Sequence, residues 1–157
     1  VIVDGKQLGK DVDFAPDAGI IIETPCFLPY LSGFQNLKEL ASIRNIISKE
    51  EIAEAMEQVK LDPSSRKHVG KYSLGMRQRL GIAQAIMERP RYLILDEPMN
   101  GLDTQGMEDV RELLQKQKET GVTVILASHS MEDIRLLCDT VHRIQDASLI
   151  PCTTEFS

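Results

Sequence analysis

Two polar pairs follow apolar runs in the second half of the sequence, and their residue types suit phosphate chemistry. The run "YLIL" ends in Asp96 and Glu97. The run "VTVILA" ends in Ser128 and His129. An acidic pair can bind hydrated magnesium while one carboxylate orients an attacking water, and a neighbouring imidazole can hydrogen-bond the transferring phosphate. Taken singly, Asp96 is equally compatible with a loop cap and His129 with an ordinary hydrogen-bonded histidine, but their joint placement favours a site.

A third candidate lies at the start of a predicted helix. Ser73 precedes that helix, and Gly75 lies just inside it. The free amides of a helix N-terminus, a hydroxyl and a glycine that permits close approach together make a potential anion site. Serine is also a common N-cap, and from spacing alone a simple helix cap is the better explanation of Ser73.

A nucleotide site would also need a glycine-rich loop with a lysine to hold the phosphates. The pattern G-x-x-x-x-G-K-[ST] occurs nowhere in the 157 residues. The nearest segment, "GKQLGKD" at 5–11, is one residue too short and has Asp11 where the magnesium-binding hydroxyl should be. It also follows a turn instead of opening a helix. We therefore reject it as a phosphate loop.

Alternating strands and helices are predicted to position these residues. Apolar and β-branched runs predict buried strands at 18–25 and 122–128 and a further strand at 92–95. Helical spacing predicts helices from about 31, at 49–60, at about 74–88 and at about 104–119, and a short helix after Ser130. In open α/β sheets ligands gather beyond the carboxyl ends of the strands, so neighbouring parallel strands would place both polar pairs at one edge. The predicted fold class is α/β with a parallel sheet.

Short sequence motifs predict turns and hairpins near both ends of the chain and caps for two of its helices. A turn is predicted at Asp4-Gly5, and the residues 140–150 alternate as in an edge hairpin. Capping-box patterns begin at Ser48 and at Ser130, each at the start of a predicted helix.

Composition narrows the class of protein. The 157 residues are enough for one domain, and 42% hydrophobic and 27% charged residues are ordinary for a globular chain. The net charge of −6 argues against a nucleic-acid surface, which needs clustered basic residues. Three widely spaced cysteines fit a reducing compartment. No apolar run approaches the roughly 20 residues needed to cross a bilayer.

A family resemblance becomes visible across these motifs. The stretch "YSLGMRQRLGIAQAIMERPRYLILDEPMNGLD", followed by "ILASHS", resembles the second half of an ABC-type ATPase domain, and the likeness extends from about Val1 to Ile150. The signature motif of that family usually reads L-S-G-G-Q. Here "YSLGM" keeps the serine and the second glycine, Ser73 and Gly75, but loses the first glycine and the glutamine.

The resemblance implies roles for the polar residues at the strand ends. Asp96 matches the Walker B aspartate, which holds magnesium through water, and Glu97 matches the catalytic glutamate, which polarises the attacking water. His129 matches the switch histidine that senses the γ-phosphate of ATP. The implied cofactors are ATP and Mg²⁺.

The resemblance also implies a second subunit. In the family, two such domains bind head to tail, and each ATP lies between one subunit's phosphate loop and the other's signature serine. Ser73 and Gly75 would therefore act on the ATP held by a partner. Asp103, the last residue of the D-loop at 100–103, would join the two halves.

The first half of the chain resembles the region that faces a membrane subunit. The family's Q-loop glutamine falls at Glu23, which would contact metal and water while its loop touches a transmembrane permease. Glutamate at this position, with the sequence segments that follow it, resembles the sequences of the branch that exports bacitracin-like peptides or confers lantibiotic immunity. Phe27, Leu28 and Tyr30 supply either apolar contact to the permease or ordinary packing, and the sequence does not separate the two.

The fold implied by the resemblance is a partial P-loop NTPase with an inserted helical subdomain. Residues 1–31 would form part of the ATPase core with the Q-loop region, 32–73 the helical subdomain, and 74–157 the rest of the core. Compared with the family, the chain would begin just after the helix that follows the phosphate loop. The isolated chain is then expected to bind ATP poorly and not to hydrolyse it, and its exposed apolar sheet edges favour aggregation or partial folding.

The function implied is that of an ATP-binding and ATP-hydrolysing subunit, here a fragment, of an ABC transporter that exports a peptide antibiotic or a similar substrate. Such a subunit is cytoplasmic and peripheral on the inner face of the cell membrane. One alternative is a truncated, non-catalytic remnant that only docks on a partner. Another is a soluble ABC ATPase acting on ribosomes or DNA, against which stand the acidic balance, the short helical insertion and the export-like phrases around Glu23.

Overall fold

The computed structural model describes residues 1–13, 15, 17–22, 26–146 and 148–152. Three strands and then three helices lead into a second half in which strands and helices alternate. In chain order they are β1 (Ile2–Val3), β2 (Lys6–Gln7), β3 (Ala18–Ile21), α1 (Gly33–Arg44), α2 (Lys49–Gln58), α3 (Leu74–Ile86), β4 (Tyr92–Asp96), α4 (Thr104–Glu119), β5 (Thr123–Ala127), α5 (Met131–Leu137), β6 (Val141–Gln145) and β7 (Ser148–Cys152).

A three-stranded parallel sheet with the order β3-β4-β5 forms the centre of the fold. The register aligns Ile20 with Ile94, and Ile94 with Ile125. The α/β class and the parallel sheet predicted from the sequence are therefore confirmed. The carboxyl ends of β4 and β5 lie at the same edge, as expected for neighbouring parallel strands.

The prediction of buried strands is wrong for one face of β3 and one face of β5. Exposure alternates along β3 and along β5, and Ile20 and Ile125 are both exposed. Successive side chains of a strand point to opposite faces, so this alternation means that only one face is covered within the described part of the chain. A β-branched run suits either kind of strand, which is why composition alone did not distinguish them.

The covered face shares one hydrophobic core with the helices. Helix α3 contacts β3 and α2, and α2 contacts α1. The largest fully buried side chains in this core are those of Leu37, Ile52, Met56, Leu80, Ile82, Leu93, Leu95 and Leu114. The proposed division of the chain at residues 31 and 73 stays a prediction.

Helix starts follow the polar residues that precede them. The capping box at Ser48 forms as predicted, since Ser48 accepts from the amide of Glu51 and the Glu51 carboxylate accepts from the amide of Ser48. A second box, at Ser32 and Gln35, was not anticipated. Ser130 also caps its helix, by accepting from the amide of Asp133.

The carboxylate of Asp133 does not complete a capping box of the kind predicted at Ser130. Its Oδ1 atom instead accepts a hydrogen bond from Arg111 Nε at 2.7 Å. Asp133 is buried, and an ion pair with a cation from α4 satisfies a buried carboxylate better than an amide alone does. Tertiary contact therefore decides the role of this residue.

Two hairpins flank the sheet-and-helix unit. Strands β1 and β2 pair around Asp4 and Gly5, whose φ angles of 48° and 76° suit a tight hairpin turn. The segment 5–11 contains β2 and turns, which agrees with its rejection as a phosphate loop. Strands β6 and β7 form the predicted C-terminal hairpin. Among the described residues, no helix combines the length and the apolar character needed to cross a bilayer.

Candidate active site

Glu97 and His129 meet at the carboxyl edge of the sheet. The amide of Glu97 donates to the carbonyl of Ala127 at 2.9 Å, which continues the pairing of β4 with β5 beyond the strands. The amide of His129 donates to Glu97 Oε1 at 2.9 Å, and His129 Nδ1 lies 2.7 Å from the same oxygen. The two residues from separate strand ends thus form one paired unit.

This pairing orients the glutamate. The Glu97 side chain is 28% exposed, whereas the His129 side chain is 81% exposed. With its ring proton on Nδ1, His129 donates to Glu97 and keeps Nε2 as an acceptor towards solvent. The contact therefore holds the carboxylate at the sheet edge while the far side of the imidazole remains available to another molecule.

Asp96 completes the edge from inside the strand. It is the last residue of β4, is half-buried, and lies two residues after Ile94 on the open face of the sheet. The part of the chain that the structure describes holds no cluster of three or more metal-ligating side chains. A magnesium ion that binds a nucleotide needs only one or two carboxylates, because phosphates and water supply its other ligands. Asp96 fits that requirement, and Glu23 lies outside the described residues.

Ser73 caps the helix α3 and is exposed. Its Oγ atom accepts a hydrogen bond from the amide of Met76 at 3.2 Å. The prediction that Ser73 is the N-cap of this helix is therefore confirmed. A hydroxyl that accepts one bond keeps its own proton to donate, so the cap leaves Ser73 able to contact an oxyanion.

Gly75 is explained by contact within the chain. A Cβ atom at this position would lie 2.8 Å from the carbonyl oxygen of Gly101. The first turn of α3 thus packs directly against the segment that follows β4. The sequence predicted that the glycine allows a ligand to come close to the backbone. In the structure, the carbonyl of Gly101 already lies against that position.

The segment after β4 is a compact turn that leads into α4. The amide of Asn100 donates to the carbonyl of Glu97 at 3.1 Å, and Glu97 itself has a positive φ of 45°. Asp103 ends the segment as the N-cap of α4, with Oδ1 accepting from the amide of Gly106 at 2.9 Å. Asp103 is exposed and its capping role is local, so its predicted role between two subunits stays a prediction.

Gln78 was not identified as a site residue from the sequence. It is buried on α3, and its Nε2 atom donates to the carbonyl of Pro98, the residue after Glu97, at 3.1 Å. A signal was present: Ile82 and Ala85, four and seven positions later, are buried, so Gln78 lies on the core face of the helix. A polar side chain on the core face of a helix needs a buried hydrogen-bond partner.

Arg79 was also missed, and it anchors the same helix. Its guanidinium donates to the carbonyl of Val59 and to Asp109 Oδ2, both at 2.9 Å. The hydrogen bond from Arg79 lowers the pKa of Asp109, with a smaller contribution from Gln105, against the opposing effect of burial. The helix that begins at Ser73 is therefore tied to both α2 and α4.

A family model described as ABC transporter matches residues 1–100, which is more than half of the chain. This chain belongs to the ABC transporter family. The family inferred from the resemblance is therefore confirmed. The matched range includes the start of α3 and the end of β4, and the roles of the individual site residues stay predictions.

Curated relatives are longer than this chain and match it over part of their length. The bacitracin transport ATP-binding protein BcrA of Enterococcus faecalis is 44% identical over 133 residues, covering 84% of this chain and 43% of that protein. The lantibiotic transport ATP-binding protein SrtF of Streptococcus pyogenes is 36% identical over 132 residues, covering 84% and 57%. Across the curated relatives it matches, the chain spans 43% to 64% of their length.

Solved structures agree with the fold. The dimeric, post-hydrolysis structure of the ATP-binding cassette MJ0796, bound to ADP and Pi, superposes with a TM-score of 0.72 at 20% sequence identity. The match covers 86% of this chain and 64% of the cassette. The described α/β architecture is thus that of an ABC ATPase cassette.

Proposed function

We propose that this chain is the part of an ABC transporter ATP-binding subunit that carries the hydrolytic sheet edge and the signature helix. The complete subunit hydrolyses ATP and drives export of a peptide antibiotic or a similar substrate through a separate membrane permease. The observation that carries the proposal is the pairing of Glu97 with His129 beside Asp96. The bacitracin and lantibiotic transport functions named for two relatives support the choice of substrate class.

In this proposal Glu97 is the general base. Its carboxylate lies at the carboxyl edge of the sheet and is oriented by two contacts from His129, to Oε1 at 2.9 Å and 2.7 Å. Phosphoryl transfer depends chiefly on positioning and charge stabilisation, so a carboxylate held in one orientation can order the attacking water. With protons on both ring nitrogens, His129 would donate from Nδ1 to Glu97 and from Nε2 to a γ-phosphate oxygen, which links the presence of the phosphate to the position of Glu97.

Asp96 is proposed to hold a magnesium ion together with Glu23. Bound there, Mg²⁺ would neutralise the developing charge on the phosphate oxygens. Asp96 supports this role by its place at the end of β4, next to the base. Glu23 is proposed for its position in the sequence, where the family has its Q-loop glutamine.

Ser73 and Gly75 are proposed to act on the nucleotide of a second ATP-binding subunit in a head-to-tail dimer. The exposed hydroxyl of Ser73 at the start of a 13-residue helix supports this role, since the helix dipole and the free amides favour a phosphate. Asp103 is proposed to contact the partner from the turn after β4.

The surface around residues 26–31 is proposed to face the permease. The buried amide of Asn36 accepts from the amide of Leu28 at 2.7 Å and donates to its carbonyl at 3.1 Å. These two hydrogen bonds fix the backbone at Leu28, while the side chains of Leu28 and Tyr30 are exposed. Phe27 packs against the core instead. We therefore propose Leu28 and Tyr30 as contacts to the permease, with the subunit on the cytoplasmic side of the membrane.

The central test is Glu97→Gln in the complete natural protein that carries these residues. The change keeps the size of the side chain but removes the base, so we expect the ATPase rate constant kcat to fall by about 10²- to 10⁴-fold while ATP binding persists. Glu108→Gln, which alters an exposed carboxylate on α4, is the matched control and should keep the parent rate. An unchanged rate in Glu97→Gln would contradict the proposed function.

A further inference from the structure

The buried amide of Gln78 joins the signature helix to the turn that carries Glu97. Gln78 is 4% exposed, and its Nε2 atom lies 3.1 Å from the carbonyl oxygen of Pro98. Pro98 is itself fully buried. A buried amide that loses its partner is left unsatisfied at a cost in free energy, so the bond restrains both groups.

A second contact lies one helical turn earlier on α3. Gly75 packs against the carbonyl of Gly101, and a Cβ on Gly101 would lie 2.4 Å from the Leu74 side chain. Positions 75 and 78 of the helix therefore hold positions 101 and 98 of the turn. We refer to residues 97–101 as the Glu97 turn. It is fixed to α3 at both of its ends.

The backbone of Glu97 depends on such restraints. Its φ of 45° lies in the left-handed region, which is strained for a non-glycine residue and persists only where the surroundings impose it. The amide of Glu97 is held by Ala127 and its carbonyl by Asn100. The bond from Gln78 restrains the next peptide unit, so it is the contact through which α3 acts on Glu97.

We propose that Gln78 is a positioning residue that locks the Glu97 turn to the signature helix as one rigid unit. This inference rests on the proposed function, in which Ser73 and Glu97 of one chain serve different ATP molecules of the dimer. A shift of Ser73 on binding nucleotide would then be transmitted through Gln78 to the base of the opposite site. Gln78 touches neither nucleotide and acts only through Glu97.

The test uses Gln78→Met in the complete natural protein, because methionine matches the length of glutamine but cannot donate to Pro98. We expect kcat for ATP hydrolysis to fall about tenfold or more while KM for ATP stays unchanged, since misplacing a catalytic group costs rate rather than binding. Gln84→Met, on the same helix but half-buried, is the matched control and should keep the parent kcat. If Gln78→Met does not fold, Gln78→Asn, which withdraws the donor by one methylene, takes its place.

Two further readouts separate positioning from stability. Hydrogen exchange at the amide of Asn100, which reports the Glu97 turn, should accelerate in the variant while the amides of α3 stay protected. In the Glu97→Gln background, the Gln78 change should have no further effect on kcat, because both act through one group. A parent-like kcat in the Gln78 variant, alongside Glu97-dependent hydrolysis by the parent, would overturn the positioning inference alone. Absence of Glu97-dependent hydrolysis would overturn both this inference and the proposed function.

Discussion

The two faces of the central sheet are built from the same residue types but have different surroundings. On the covered face, Ile21, Leu93 and Leu95 are buried against the helices. On the open face, Ile20 and Ile125 stand in register with Ile94 and are exposed. Packing partners, and not apolarity, therefore decide which strand residues form the core. The open face is also the one that continues into Asp96.

The largest effect that tests this comparison is expected from two neighbouring isoleucines of β3. Ile21 is 3% exposed and Ile20 is 42% exposed. Ile21→Ala should lower the free energy of unfolding by about 2–5 kcal/mol through lost burial and a residual cavity, and Ile20→Ala by less than half as much. Urea unfolding of the chain measures both. Equal losses would mean that the two faces are equally covered in solution.

A smaller loss is expected from Gly19→Ala, which adds a methyl group on the covered face of β3. Its Cβ would lie 1.9 Å from the carbonyl oxygen of Ala85, so α3 must move away from the sheet. Overpacking of this kind costs about 1–3 kcal/mol in the free energy of unfolding. Thermal unfolding checks the change, with Ile20→Val on the open face as the control. Unchanged stability would show that α3 is not held against the strand.

The smallest effect is expected from Asp109, which helps to hold the covering helix α3. Its pKa is lowered below the ordinary value of 3.8 by Arg79, so the ion pair stabilises the fold above that value and loses its contribution as the pH falls through the folded pKa. Asp109→Asn should cost about 1 kcal/mol or less near pH 7, and this difference should vanish once the pH falls below the lowered pKa of Asp109.

Urea unfolding at several pH values measures the contribution of Asp109. Glu108→Gln, next to Asp109 on α4, should show no such dependence. A cost in Asp109→Asn that stays constant down to acid pH would assign the effect to packing instead of charge.

The local sequence pattern was enough to predict the helices and strands and the meeting of Glu97 with His129 at the sheet edge. Helix α4 was predicted at about 104–119 and spans Thr104–Glu119, because a regular apolar stripe marks its extent. The meeting of Glu97 with His129 followed from parallel strands alone. In contrast, Gln78 and Gly75 acquire their partners only when α3 packs on the turn after β4. The prediction of strand burial was wrong for the same reason, since the helices that bury a face of the sheet come from distant parts of the chain.

Several sequence-based assignments stay predictions. These concern the division at residues 31 and 73, the roles of the site residues, and Glu23, which falls outside the described residues. Their physical basis is contact with a nucleotide, a partner subunit or a permease. A single folded chain shows only the groups that it would offer to them.

The contact between Leu74 and Gly101 constrains how this protein can evolve. Leu74 stands where the family usually has the first signature glycine, and its side chain lies over Gly101, whose φ of 76° already disfavours other residues. A larger residue at 101 would collide with Leu74. A lineage with glycine at 74 would be freed from this collision and could carry asparagine at 101. Changes at these two positions should therefore be epistatic, each tolerated or rejected according to the other.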